Sequence, residues 1–385
     1  MKAFTLKEGI FWAGAVDWNP PKFGESLSKG TTYNSYLICD EKTALVDTVK
    51  HGFTQETVLR ISDIKNLSDI DYIIIGNYHM DHSGSLPFLM KRAKNATIVG
   101  TEECKKAIEK YHNGKWNFKI VKEGDTLSLG KRTLLFKEFK LKSGNLLLTY
   151  SKYDKLLFSE DLFSQHIASD FRMDNNIYEL ENDALSYFVN YLIPIETLPD
   201  LSEIDILAPN HGVIWCQNTR KIIEKYQEWI KGKSNTKVTI LYSSIWRGTE
   251  KMAYSIADGV SASGAEVQVI NYDVHDVGYI LTKLFESRSV AIGFPSFKTG
   301  IPLTLSKLFS YIKLTGLNKK SLLLFTCYSN TKSPIDAFLK IALNNDFELF
   351  EKPLEVQYAP NEEELKLCFE LGNRLGEKTK NNKGQ

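Results

Sequence analysis

Hydrophobic positions along this chain follow two rhythms. Short apolar runs with β-branched and aromatic residues, such as Ile70-Asp71-Tyr72-Ile73-Ile74-Ile75, predict buried strands. Stretches such as Gln217 to Lys231 have the spacing of an amphipathic helix. Residues 1 to about 60 read as short strands and turns. Thr32–Cys39 and Thr43–Val49 are predicted to pair around Asp40-Glu41-Lys42. Helices are predicted from Leu86 to about Ala93 and from Glu102 to Tyr111, with a strand at Thr97–Gly100 and further short strands from Trp116 to Leu141. Meander strands with interspersed helices suit an αββα sandwich. The polar, glycine-containing stretch Lys231–Thr236 is the expected boundary, giving domains 1–234 and 235–385. Beyond it, strand Lys237–Tyr242, helix Glu250–Gly259 and strand Glu266–Ile270 form a βαβ unit. Glu362–Leu375 is the expected closing helix, and Glu377–Gln385 is expected to be a disordered polar tail.

Composition narrows the function classes. A length of 385 residues, 43% hydrophobic and 25% charged, fits a soluble chain of two or three domains. A net charge of +1 gives no bulk attraction to nucleic acid or anionic membrane. No apolar run approaches the roughly 20 residues of a membrane helix, and Met1–Glu8 does not read as a signal peptide. The 5 cysteines are scattered, with no Cys-x-x-Cys, as expected of a reduced, cytoplasmic protein without an iron–sulfur appendage.

Two stretches carry candidate chemistry. Gly76-Asn77-Tyr78-His79-Met80-Asp81-His82-Ser83-Gly84-Ser85-Leu86-Pro87 places two imidazoles and a carboxylate at the carboxyl end of a predicted strand, where α/β sheets bind ligands. Those ligand types suit zinc or iron better than magnesium or calcium; the bland alternative is a polar loop. Ser243-Ser244-Ile245-Trp246-Arg247-Gly248-Thr249 is a hydroxyl-rich turn opening a helix, where free N–H groups favour an anion. His51, His112 and His275 sit in polar surroundings and read as surface or turn residues. Arg247 reads equally as a phosphate partner or a solvated side chain.

The half-motif Asp81-His82-Ser83-Gly84-Ser85-Leu86-Pro87 matches that of the flavodiiron proteins, and Thr249-Glu250-Lys251-Met252-Ala253 resembles their phosphate loop. The resemblance preserves the order of all motifs along essentially the whole chain. It implies an α/β fold, an αββα metallo-β-lactamase-like sandwich followed by a flavodoxin-like doubly wound parallel sheet. It carries Asp81, His82, bridging Asp161 and late ligand His211 onto one metal. Asp47 reads as a supporting carboxylate and His166 as structural. FMN contacts are implied at Ser243–Thr249, at Pro295, Ser296, Phe297, Lys298, Thr299 and Gly300, and at Cys327, Tyr328, Ser329 and Asn330. Trp246 is expected to stack on the isoalloxazine and Tyr328 on its other face.

The second metal position departs from the family. Asn77 stands where the family has His, His79 where it has Glu, and Lys142 where it has the middle His. A lysine ammonium has no lone pair to give a metal. Four arrangements stay open at this point: one metal with Lys142 pairing Asp161, one metal with His79 as an added ligand, a metal-free polar network, or an intact two-metal site. Iron is expected at one per chain rather than two, with zinc or no metal as alternatives. The resemblance further implies reduction of O2 to water or NO to N2O, a head-to-tail homodimer, and a rubredoxin-like or flavin reductase donor. The alternative is a redox-inactive relative that binds FMN or a partner. A metal-dependent hydrolase fits less well, because the His-x-His-x-Asp-His pattern of that branch is missing.

Overall fold

The computed structural model describes residues 1–19, 29–141, 144–175, 177–232, 235–296, 302–317, 319–329 and 335–381. Among them, those up to Gln227 and those from Glu228 form two compact units.

In the first unit seven strands make one sheet, ordered Phe4–Lys7, Ile10–Trp12, Tyr36–Cys39, Thr43–Val46, Tyr72–Ile74, Thr97–Gly100 and Phe118–Ile120. A second sheet of five is ordered Thr126–Ser128, Thr133–Leu141, Gly144–Ser151, Leu156–Glu160 and Ile206–Pro209. Side chains alternate across a pleated strand, so each face has its own core. Ile38, Val46, Ile74 and Val99 pack between the sheets against Phe136, Leu147, Phe158 and Ala208. Their neighbours Leu37, Leu45, Ile73 and Ile98 face the other way, onto Ile61, Leu86, Leu89 and Ile108 of the covering helices. Behind the second sheet Phe163 packs on Tyr226 of helix Thr219–Ile230, with ring centroids 4.4 Å apart. The result is the expected αββα sandwich.

The second unit is an all-parallel sheet ordered Glu266–Asn271, Asn235–Tyr242, Ser287–Ser296 and Ser321–Tyr328, with Glu348–Leu349 and Leu354–Gln357 both pairing the last of these. The chain winds one way from the first strand and then the other, the doubly wound order whose reversal point carries the ligand loop. Helix Gly248–Ala262 packs along Glu362–Asn381 at very short range. A Cβ on Gly259 would lie 2.0 Å from the Phe369 carbonyl, and one on Gly372 would lie 2.0 Å from that of Ile256. The tail expected to be disordered from Glu377 is instead helical through Asn381. Leu375 and Thr379 are buried, and the Thr379 hydroxyl donates to Ser289 Oγ at 2.7 Å. Tertiary anchoring overrides the polar composition there.

Candidate functional site

Loops at the carboxyl ends of strands in both sheets bring the candidate ligands of the first unit together. Asp81 and His82 lie on the one-turn helix Met80–Ser83, after strand Tyr72–Ile74. Asp161 follows strand Leu156–Glu160 and His211 follows Ile206–Pro209. One ligand atom from each of Asp81, His82 and His211 lies within 4.8 Å of the others. His82 Nε2 is 3.3 Å from Asp81 Oδ2, and His211 Nε2 is 3.5 Å from the same oxygen. Asp161 Oδ1 closes the group at 3.9 Å from His82 Nε2 and 3.8 Å from His211 Nε2. His211 Nδ1 lies 2.6 Å from the Thr32 carbonyl, so it carries the proton and turns Nε2 inward. The His82 carbonyl accepts the Thr48 N–H and hydroxyl, both at 2.8 Å, which fixes its loop.

Charge in the cluster is strongly coupled. Burial pushes the Asp81 carboxyl up, but the adjacent His82 and His211 outweigh it and hold Asp81 well below the usual carboxylate range. Burial alone would lower His82; Asp81, then Asp161 and Asp47, raise it to about 9. The two buried imidazoles and the Asp81 carboxylate face one point and fit a divalent ion, with the Asp161 carboxylate beside both imidazoles.

Asp161 is held by two donors that sequence reasoning did not foresee. Asn77 Nδ2 donates to Asp161 Oδ2 at 2.9 Å, and Asn77 Oδ1 accepts the His79 N–H at 3.1 Å, which fixes the amide orientation. The Tyr187 hydroxyl donates to Asp161 Oδ1 at 2.8 Å. Burial and then Asp161 raise the Tyr187 phenol well above its ordinary value, so it stays protonated. Tyr187 stacks on Tyr191 at 4.7 Å, and the His166 ring lies 4.9 Å from each and 4.9 Å from His211. Burial and then His211 push His166 well below its usual range, so it is neutral; its Nδ1 is 2.8 Å from Thr31 Oγ1. His79 is not brought into the cluster. It is exposed at the cap of the Met80–Ser83 turn, with its ring 5.2 Å from Tyr78. Lys142 lies outside the described residues.

Behind the cluster Asp47 and Glu160 are fully buried with facing carboxyls. Burial raises Asp47, while burial and then the Asp47 charge push Glu160 well above its usual range.

In the second unit strand Asn235–Tyr242 runs into the turn Ser243–Arg247 and the helix Gly248–Ala262. Ser244 Oγ and Thr249 Oγ1 are buried there and make no hydrogen bond among the described residues. Two unmet hydroxyls beside the amino terminus of a long helix fit a phosphate. Ser243 Oγ donates instead to Asp273 Oδ2 at 2.5 Å. Arg247 adopts a left-handed φ of 65° and its Nε donates to Glu250 Oε2 at 2.6 Å, so its charge is met locally. Ile245 is 54% and Trp246 77% exposed, as a stacking surface requires. The Ser329 N–H donates to the Ser296 carbonyl at 3.0 Å, tying two neighbouring loops. Pro295 precedes Ser296 in the same strand and Tyr328 ends the next one. Cys327 is buried, and its Sγ would lie 3.1 Å from a Cβ on Gly248. Phe297, Lys298, Thr299, Gly300 and Asn330 lie outside the described residues.

A family profile described as ODP family beta lactamase matches residues 31–212, and one described as Flavodoxin matches 240–372. The nitric oxide reductase of Moorella thermoacetica is 34% identical, over 96% of this chain and 97% of the relative. The anaerobic nitric oxide reductase flavorubredoxin of Escherichia coli K12 is 32% identical, over 97% of this chain and 82% of the relative. The flavodiiron protein of Giardia intestinalis superposes with a TM-score of 0.94 at 26% identity, over 98% of this chain and 97% of that one. The chain belongs to the flavodiiron proteins. Rubredoxin oxygen:oxidoreductase of Desulfovibrio gigas gives a TM-score of 0.89 at 27% identity, over 98% and 99% of the two chains. Within this flavodiiron chain the two halves of the Asn77–His82 loop turn to different partners. Asp81 and His82 face the cluster, whereas Asn77 turns its amide onto Asp161. No helix among the described residues is long and apolar enough to cross a membrane.

Proposed function

We propose that this flavodiiron protein is a cytoplasmic, FMN-dependent oxidoreductase that reduces O2 to water, NO to N2O, or both, at a site holding one metal ion. The observation that carries the single-metal reading is the bond from Asn77 Nδ2 to Asp161 Oδ2, the carboxylate oxygen a second metal would need. Asp81, His82, Asp161 and His211 would hold the ion, iron in preference to zinc, with His79 outside the ligand set. The flavin would supply electrons one or two at a time, and the metal a place for the gas to bind. The chain's own residues orient and shield. Thr32 sets the His211 tautomer, Tyr187 keeps its proton on Asp161 Oδ1, and His166 and Tyr191 wall the cluster with neutral rings. Ser244, Thr249 and the helix amino terminus would hold the FMN phosphate, with Trp246 and Tyr328 available to the ring. The domains run 1–234 and 235–385. The names of the relatives support a nitric oxide or oxygen acceptor, and the family supports a head-to-tail homodimer fed by a rubredoxin-like or flavin reductase donor.

The same Asn77 bond favours a second reading, a redox-inactive relative that binds FMN or a partner. Metal and flavin content per chain, after anaerobic expression in iron-rich medium, separates the cases. One iron and one FMN, with reduced flavin reoxidised by NO or O2 faster than free flavin and lost in Asp81→Ala, is the expected result. Two tightly bound irons would overturn the single-metal site. FMN with no gain over free flavin would favour the inactive relative.

A further inference from the structure

Four segments at the cluster also wall a cavity of about 370 Å³. Lys29, Ala168, Val213 and Asp183 line it. Two positions along the chain from the first three stand Thr31, His166 and His211. One helical turn beyond Asp183, at the end of helix Ile177–Tyr187, stands Tyr187. Those four residues meet at the cluster. Thr31 Oγ1 is 2.8 Å from His166 Nδ1 and 3.5 Å from His211 Nδ1. The His166 ring is 4.9 Å from the rings of Tyr187 and His211, and the Tyr187 hydroxyl donates to Asp161. Each segment therefore gives one residue to the cavity and one to the cluster.

The shared wall is firmly built. The Ala168 N–H donates to the Lys29 carbonyl at 2.8 Å. Gly30, with a left-handed φ of 74°, packs so closely there that a Cβ on it would lie 2.5 Å from that of Ala168. The Val213 N–H donates to Gln165 Oε1 at 2.9 Å. Ile167, Met173 and Leu180 extend the apolar lining of Ala168 and Val213. Charge among the lining residues is confined to Lys29 and Asp183, and Lys29 Nζ donates to Asp183 Oδ1 at 2.7 Å, so the pair neutralises itself.

We infer that this cavity is an antechamber in which a small uncharged gas, NO or O2, collects before it passes Thr31 and His166 to the metal. The inference rests on the proposed gas-reducing metal site. A diatomic gas gives up little hydration on entering apolar walls, whereas an ion would have to leave its water behind at high cost. Apolar cavities of roughly 150 Å³ already hold xenon or benzene, so the space is ample for a diatomic molecule.

Xenon and NO test the antechamber on the full chain. Xenon, an uncharged apolar probe, is located in crystals pressurised with the gas. NO is followed by stopped flow as it binds the iron-loaded, reduced protein and as a scavenger draws it off. The expected result is xenon in the wild-type cavity, none there in Leu180→Trp, and NO association slowed about tenfold in that variant. Dissociation should slow by the same factor, because a narrowed route obstructs both directions. NO affinity and the absorption spectrum of the NO complex then stay as in wild type. If Leu180→Trp fails to fold, Met173→Trp, at a half-buried position of the same lining, is read in the same way. An empty wild-type cavity, or NO association unchanged in a folded variant that has lost xenon, overturns the antechamber and leaves the metal site standing. A changed affinity or spectrum overturns it as well, since the side chain would then be supporting the cluster. So does a side chain of a second copy found filling the cavity. A wild-type chain that binds no iron overturns the gas-reducing reading itself, and the antechamber with it.

Discussion

At the residue scale, two side chains three positions apart in one motif have opposite fates. His82 lies in the helical turn Met80–Ser83 and is buried, whereas His79 is its cap, with ψ of 158°, and is exposed. Residue type and spacing made both look like ligands; the cap conformation separates them. His82 also sets a pH dependence. Its folded value of about 9 lies above the ordinary 6.5, so its contribution to stability is fully present below about 6.5 and is lost as pH rises through about 9. The metal-free chain should therefore melt progressively lower from pH 6.5 to 9.5, and a melting temperature that rose across that range would contradict the assigned charge network. Metal binding must displace the same proton, so apparent zinc affinity should climb over that window. Asn77→Ala leaves Asp161 Oδ2 without its donor. It should destabilise the metal-free chain by about 1–3 kcal/mol, read from thermal or urea unfolding. No change would mean water satisfies that oxygen.

At the scale of elements, the apolar rhythm located most strands and helices but not their ends or partners. The helix expected to close at Leu375 continues to Asn381, because Thr379 and Lys380 reach Ser289 and the Ser263 carbonyl on other elements. Nothing local in a polar tail announces such anchors. The close packing of Gly248–Ala262 against Glu362–Asn381 gives one prediction. Gly259→Ala puts a methyl 2.0 Å from the Phe369 carbonyl, so the helices must part, at a cost of about 1–3 kcal/mol. Calorimetry should show the transition of the second unit shifting down; an unmoved transition would mean the helices can separate freely. The phosphate turn gives another. Thr249→Val keeps the shape and removes a buried hydroxyl that has no hydrogen-bond partner among the described residues, so FMN should bind about tenfold more weakly. Unchanged FMN affinity, followed by fluorescence quenching, would place the phosphate elsewhere.

At the scale of the whole molecule, the proposed head-to-tail homodimer makes a prediction that no single chain can meet. In that arrangement the flavin of one chain serves the metal of its partner. Co-assembling Asp81→Ala chains with chains disabled in FMN binding should restore part of the gas-dependent flavin reoxidation that each variant lacks alone. No recovery in verified mixed dimers would rule out electron transfer between subunits. The order of motifs, the α/β class, the αββα and doubly wound halves and the ligand candidates Asp81, His82, Asp161 and His211 were all legible in the sequence. Strands, helices and the Asp81–His82 loop rest on local chemistry, because periodicity follows from the pleat and the helical turn and ligand loops follow strand ends; Asp161, His211 and the doubly wound second half came from the resemblance to the flavodiiron proteins. What only the tertiary structure decided is how distant residues meet. Tyr187 and Asn77 on Asp161 are pairs 26 and 84 positions apart, and sequence spacing carries no record of such contacts. They form because two sheets, each amphipathic for its own reasons, pack face to face and force the buried polar groups at their shared edge to satisfy one another.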